Sequence, residues 1–517
     1  MREWRGRPGR MSLSACTLLF ALGGSAWAAG LPLVEPTPQA AARTPVFSAT
    51  KAGAVSLSRS TQTLREYAYT LDEDGLIEDP DAARTSSAIR ARNFEAWVIE
   101  NDFVRATLVP GYGGRILSLI YKPTGHESFY RNPVASAYGI GDGNFLYDWL
   151  QVWGGVFPTF GPEHGKAWNH AWAFEVLRQD AEAVSVVMRW KDDREVFTPP
   201  SFRRYGRKTG LELAYTVTLR AGRAALDTRI EIHNPTPASQ DYEYWTNVSL
   251  APGSDAAHPA ATAGAEVVYP LQFVTAAWCP NESRCRQTLA QARPADAAPG
   301  QAQAWDFGAL RQYRNWPEWG IFYAWPDMAN RNFWGVINHD NDEGLIRIAD
   351  NQLTRGLKFW TFGYPSSKDI DPEKTRSPYR PFIELWAGAT REFFRTRNLA
   401  AGATDSQAEV YAPTQGLKTV SHANDNFVAD LRVSEGALRA DIVCLYPDAP
   451  LGYRVRAGDK VLAGGALAAA VNGVRHLVLP LDAGLAAGAN LTLELMQDTG
   501  QEAGQDSVPV FEASLPR

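Results

Sequence analysis

Residues 153–172 read WGGVFPTFGPEHGKAWNHAW. Glycines, two prolines, two histidines and three tryptophans share one short window. The pattern fits neither the 3.6-residue period of an amphipathic helix nor the plain alternation of a strand. It reads as a rigid aromatic loop hung on a strand, with the pair His164-Gly165 inside it. The segments on either side carry a different signal. VRATLVPG, RILSLIY, VSVVMRW, LELAYTVTLR, LDTRIEIHN and YEYWTNVSL are short runs of β-branched and aromatic residues, separated by glycine, Asn-Pro or charged turns. The style continues through GIFYAWP, FWGVINH, GLIRIAD, GLKFWTFG and PFIELWAG. Helical periodicity is scarce; an Ala/Gln stretch near 287–304 reads equally well as loop. So many short strands predict an all-β chain, with one large antiparallel sandwich over residues 61–415. APTQGLKTV at 412–420 breaks the pattern. Alternation then resumes over 420–517, at a length that suits a small immunoglobulin-like β-sandwich.

At 517 residues the chain is long enough for more than one domain. A net charge of −6 with no basic patch argues against a nucleic-acid partner. Past the N-terminal region no run of eighteen or so apolar residues predicts insertion into a membrane. Nothing has the spacing of metal ligands, so neither a metal nor another cofactor is expected. The aromatic content is high, with 17 Trp, 19 Tyr and 22 Phe, and a surplus of Trp in loops suits the flat apolar faces of sugars.

The first residues have their own character. Four arginines lie within Met1–Arg10, and an apolar run then ends at Ala26-Trp27-Ala28, a small-x-small cleavage site. Residues 1–28 are expected to be a signal peptide, which makes the mature protein periplasmic or secreted and starts it at Ala29. LSAC at 13–16 precedes most of the apolar run, whereas a lipoprotein cysteine follows it. Residues 29–60, rich in Ala, Pro, Thr and Ser, are expected to be a poorly ordered linker. Cys279 and Cys285 are close enough for a small-loop disulfide in an oxidising compartment, two free thiols being the alternative. Cys444, in DIVCLY, reads as a buried core residue.

The opening loop resembles the signature of the galactose mutarotase-like superfamily, which includes aldose 1-epimerases and hexose-6-phosphate mutarotases. Four further stretches carry the same resemblance in order: LVPGYGGRILSL (108–119), ESFYRNP (127–133), IHNPTPASQDYEYWTNVSL (232–250) and PFIELWAG (381–388). GGRI, FYRNP and the late IEL-AG are shared with a group of uncharacterised domains on this fold, often found beside helical repeats. The resemblance implies the large supersandwich. It also implies a glutamate base, a histidine acid and a second histidine that holds the sugar. Glu384 matches the base, and its place between Ile383 and Leu385 aims it into a cleft unless it faces solvent. His164 matches the holding histidine, a turn or core histidine being the alternative. At the acid position stands Trp245, followed by Thr246 and Asn247, and tryptophan has no usable acid. His170 is the nearest substitute.

In the phosphosugar branch, arginines before the Gly-Gly and after the His-Gly hold the phosphate. Trp153 and Trp168 stand there in this chain, and His170 replaces a third basic residue. An unphosphorylated ligand is therefore expected. Arg115 is expected to reach the cleft, and Asp350 is a further candidate on another strand. Trp316, Trp319 and Trp325, beside Glu318, would form either a second aromatic wall or core. Two functions follow. The first is an exported carbohydrate-active protein binding a sugar or oligosaccharide, with Glu384-dependent acid/base chemistry. The second is a non-catalytic glycan-binding or scaffold protein. A plain aldose 1-epimerase is not expected, because the acid histidine is missing.

Overall fold

The strand Glu212–Arg220 shows how the sequence sets the layers. Its odd positions Leu213, Tyr215, Val217 and Leu219 are buried, while Glu212 and Arg220 are exposed. A period of two turns one side of the strand inward. In the computed structural model this pattern builds two large antiparallel sheets. The structure describes residues 53–70, 88–135, 137–139, 149–151, 153–161, 165–167, 170–195, 206–269, 273–278, 304–306, 308–316, 320–324, 332–351, 353–354, 356–370, 380–482, 490–497 and 509–515.

The first sheet has twelve strands among the described residues. Its order runs Ser56–Tyr67, Ile89–Glu100, Val104–Val109, Arg115–Tyr121, His126–Phe129, Tyr244–Ser254, Ile383–Gly388, Gly356–Thr361, Gly320–Ala324, Phe273–Trp278 and Ala304–Asp306. The strand Gly155–Phe160 bridges Arg115–Tyr121 and Tyr244–Ser254. The second sheet has eight strands, in the order Ala265–Val268, Phe333–Asn338, Glu343–Ala349, Thr404–Gln415, Leu226–His233, Glu212–Arg220, Ala183–Lys191 and Ala173–Gln179. One hydrophobic cluster joins them: Val248, Leu250, Ile383 and Leu385 from the first sheet meet Leu213, Val217, Ile230 and Leu345 from the second. The expected all-β sandwich is therefore observed. The first strand begins at Ser56, so Ser56–Ser60 are paired strand rather than the expected linker.

Two four-stranded sheets follow. One holds His422–Asn424, Phe427–Ser434, Ala437–Cys444 and Arg475–Pro480; the other holds Lys460–Leu467, Leu451–Ala457, Leu491–Gln497 and Phe511–Leu515. They enclose their own core, including Phe427, Leu438, Ile442, Leu493 and Phe511. Cys444 is buried and free in that core, as its strand pattern predicts. A second apolar cluster packs Val428, Val443 and Leu445 of the small sandwich against Ile346, Ile348, Val410 and Ala412. Those four residues lie on the outer face of the eight-stranded sheet, since their neighbours Leu345 and Tyr411 point into the main core. The small sandwich thus covers that face. The remaining large face belongs to the twelve-stranded sheet.

Candidate functional site

The strand Ile383–Gly388 is buried along its whole length, so both of its faces are covered. Ile383, Leu385 and Ala387 point into the main core. Glu384, Trp386 and Gly388 point the other way. Register extends this outer face across the sheet. Trp386 lies opposite Asn247 on one side and Lys358 on the other. Asn247 lies opposite Phe157, and Lys358 opposite Tyr323. Arg115 precedes Ile116, which pairs with Val156, so it falls beside Phe157. Arg115, Phe157, Asn247, Trp386, Lys358 and Tyr323 therefore form one row. One step along stand Ser249, Glu384 and Trp360. One step the other way stand Thr159, Trp245, Gly388 and Gly356.

Arg115 owes its position to Gly154-Gly155. Both glycines have positive φ, 86° and 81°. A Cβ at Gly154 would collide with the Tyr130 carbonyl, and one at Gly155 with the Ile116 carbonyl. This close backbone approach brings the Gly154 carbonyl to Arg115, whose Nη1 donates to it at 2.5 Å. The guanidinium also lies over the Phe157 ring, 4.1 Å from its centroid, and 5.8 Å from that of Tyr112. Arg115 is 1% exposed, yet its Nε and Nη2 have no hydrogen-bond partner among the described residues. Burial pushes its pKa down to about 10, opposed by Tyr112 and Glu384. Asn247 is fully buried, and neither end of its amide is bonded. The Trp153 indole N–H, beside Gly154, is also unbonded.

Glu384, 6% exposed, accepts from the Trp386 indole at 2.9 Å. Lys358 is buried, with its ammonium 4.2 Å from the Trp386 ring centre and 4.0 Å from that of Phe393. By register Lys358 is the diagonal neighbour of Glu384, a Cα separation of about 7–8 Å. The sequence reading missed Lys358 and Trp386. The signal was present: Lys358 sits between Leu357 and Phe359, just as Glu384 sits between Ile383 and Leu385.

Trp245, where the resemblance places an acid histidine, shares the outer face with Glu384 but is fully buried. Its ring lies over Gly388 and Gly356, where a Cβ would collide with it, and Phe393 packs edge-on at 4.8 Å. Its N–H donates to Glu243 at 3.0 Å, and the same carboxylate accepts from the Phe394 amide. The indole is therefore engaged with the protein rather than offered to a ligand.

Other expected residues are placed as follows. Trp153 is 1% exposed and packs against Phe94 and Tyr112, so it is not an open aromatic wall. His170 is half-buried; its carbonyl accepts from Gly113 at 2.7 Å, which ties its loop to the start of the Arg115 strand. Burial, then Arg194, lower its pKa, and Asp193 opposes them. Asp350 follows Glu343–Ala349, a strand of the eight-stranded sheet, and its carbonyl caps a turn by accepting from Leu353 and Thr354. It is thus not on the sheet that carries Glu384, because strand pattern does not tell which sheet a strand joins. Trp316 is core, donating to the Leu310 carbonyl and packing on Phe322 and Phe359. His164, Trp168, Cys279, Cys285, Glu318, Trp319 and Trp325 lie outside the described residues, as do residues 1–52. The loop just after His164 is anchored by Lys166, which pairs with buried Asp192 at 2.5 Å.

Residues 82–418 match the model of a family described as a domain of unknown function, DUF5107. The chain belongs to this family. Among solved structures, the DUF5107 chain is similar to a TPR-domain containing protein from Parabacteroides distasonis, with 19% identity and a TM-score of 0.53. That match covers 74% of this chain and spans 59% of the other protein's length. A galactose mutarotase-like protein from Clostridium acetobutylicum matches 62% of this chain and 96% of its own, with 9% identity and a TM-score of 0.41. One from Lactobacillus casei matches 62% and 99%, with 14% identity and a TM-score of 0.35. Galactose mutarotase-like proteins are thus among the structural neighbours of the DUF5107 chain, as its motifs implied. These likenesses concern the fold.

Proposed function

We propose that this chain is an exported carbohydrate-binding protein that holds an unphosphorylated sugar on the outer face of the twelve-stranded sheet. One observation carries this reading. Arg115, Asn247 and Trp153 keep five polar atoms buried and unbonded in one patch bordered by aromatic rings. Native proteins satisfy nearly all buried polar groups, and each unmade bond costs about 1–3 kcal/mol. A patch of such atoms among rings suits a ligand that carries hydroxyls on one side and C–H groups on another. The mutarotase-like resemblance makes a pyranose the natural candidate. Export rests on the signal-like first 28 residues; an intact mass beginning at Ala29 supports it and a mass that retains Met1 refutes it, while an acylated Cys16 would overturn only the cleavage site.

A second function shares the site. Lys358, diagonal to Glu384, gives that carboxylate a potential proton-transfer partner, which favours Glu384-dependent acid/base chemistry on the bound sugar. The test is a glycan-array screen of the mature protein, with reducing-sugar release measured on every hit, repeated for Glu384→Gln. Pure binding predicts an affinity loss of about 1–3 kcal/mol and no turnover in either form. Catalysis predicts retained binding and turnover reduced on the order of a hundredfold or more. If no saccharide binds, both functions fail.

A further inference from the structure

The open atoms of Arg115 form a specific shape. Nη1 is committed to the Gly154 carbonyl, and the guanidinium lies over the Phe157 ring, 4.1 Å from its centroid. Nε and Nη2 remain. They are adjacent nitrogens along one edge, and their N–H bonds point the same way. That edge matches a planar group with two acceptor oxygens, which it binds through two parallel charge-assisted hydrogen bonds. Vicinal hydroxyls of a neutral sugar also present two acceptors to this edge, but they bring no charge to set against the buried cation, whereas a carboxylate does.

We propose that the sugar bound on this face carries a carboxylate, and that Arg115 takes it side-on through Nε and Nη2. This rests on the sugar-binding function proposed above. Asn247, two strands along the same row, offers a donor and an acceptor to the ring hydroxyls. Its two unbonded atoms suit an alcohol, which both gives and accepts a hydrogen bond. Glu384 lies one step further along the face, within electrostatic reach of Arg115 but with its own indole donor. A monoanion fits beside that carboxylate better than a phosphate dianion: the row's second cation, Lys358, already lies diagonal to Glu384, so a second phosphate charge would meet that carboxylate with no cation of its own. The ligand class is therefore a uronic acid, alone or at the end of a short glycan.

The experiment is calorimetry on the full mature chain. Glucuronate, galacturonate and mannuronate are compared with glucose, galactose and mannose, and with glucose-6-phosphate. At least one uronate is expected to bind tighter than its neutral parent by on the order of tenfold to a hundredfold, with an advantage that shrinks as salt rises. Arg115→Gln should erase that advantage. Arg115→Lys, which keeps the charge but loses the fork, should keep only a small part of it, and it serves if the glutamine variant does not fold. Neutral sugars binding as well as their uronates would overturn the carboxylate while leaving the sugar-binding function intact. Glucose-6-phosphate binding tightest would overturn it in favour of phosphate. Binding of no saccharide at all would remove both it and the function on which it rests.

Discussion

Among the buried arginines of the described residues, Arg347 and Arg115 are buried most deeply, and they are buried differently. Arg347 lies between the two large sheets with no exposed surface. Its Nε and Nη2 both donate to Glu409, Nη1 donates to Asn351, and Nη2 also donates to Thr354. Glu409 in turn accepts from Tyr411 at 2.7 Å. Arg115, on the outer face of the twelve-stranded sheet, is equally buried but keeps one protein hydrogen bond, to a backbone carbonyl. The interior network is closed on itself, while the outer cation has its recognition edge left over. A closed network specifies a fold; an open one is a cost the folded chain bears until something binds.

This difference breaks most visibly in stability. Arg347→Met should lose about 3–5 kcal/mol, because Glu409 remains buried without its partner. Arg115→Met should leave stability unchanged or raise it by about 1–3 kcal/mol, since it removes an under-bonded charge. Urea unfolding of both variants decides the matter, and equal losses would show that Arg115 is a structural arginine after all. A smaller effect sharpens the same contrast: Asn247→Leu, similar in shape and apolar, should gain about 1–3 kcal/mol in a thermal melt while sugar affinity drops roughly tenfold. A marked loss of stability would mean that its amide is satisfied in the folded protein. The smallest expected effect is on pH dependence at His170. Its imidazole is pushed below the ordinary value of 6.5, so the unfolded chain takes the proton first as pH falls. Its contribution is present above 6.5 and is lost as pH falls from there through the lowered folded-state value. His170→Asn should flatten the acid side of the stability profile by this part, and an unchanged slope would refute the assignment.

The large fold was legible because alternation is local: LELAYTVTLR states its buried side without reference to any other strand. Glu384 and Arg115 were legible for a related reason, a charge set among apolar residues or behind two glycines. What the sequence did not show depended on partners distant along the chain. The indole of Trp245 is claimed by Glu243 and covered by Phe393, a packing that no local pattern encodes. Trp153 occupies the place of a clamp residue in the motif, but Phe94 and Tyr112 enclose it. Asp350 follows directly on the strand Glu343–Ala349, whose sheet could be known only from its pairing with Thr404–Gln415.

The seat of Trp245 also constrains how this chain could have changed over time. The ring fills space that exists because residues 388 and 356 have no side chain. Placing histidine at 245 alone would leave a void between Phe393 and two glycines, at a cost of the order seen when large core side chains are truncated, about 3 kcal/mol. Enlarging either glycine first would collide with the tryptophan. Each single step toward histidine at 245 is therefore uphill, so this end of the face is held by mutual packing while positions away from it are left freer to vary.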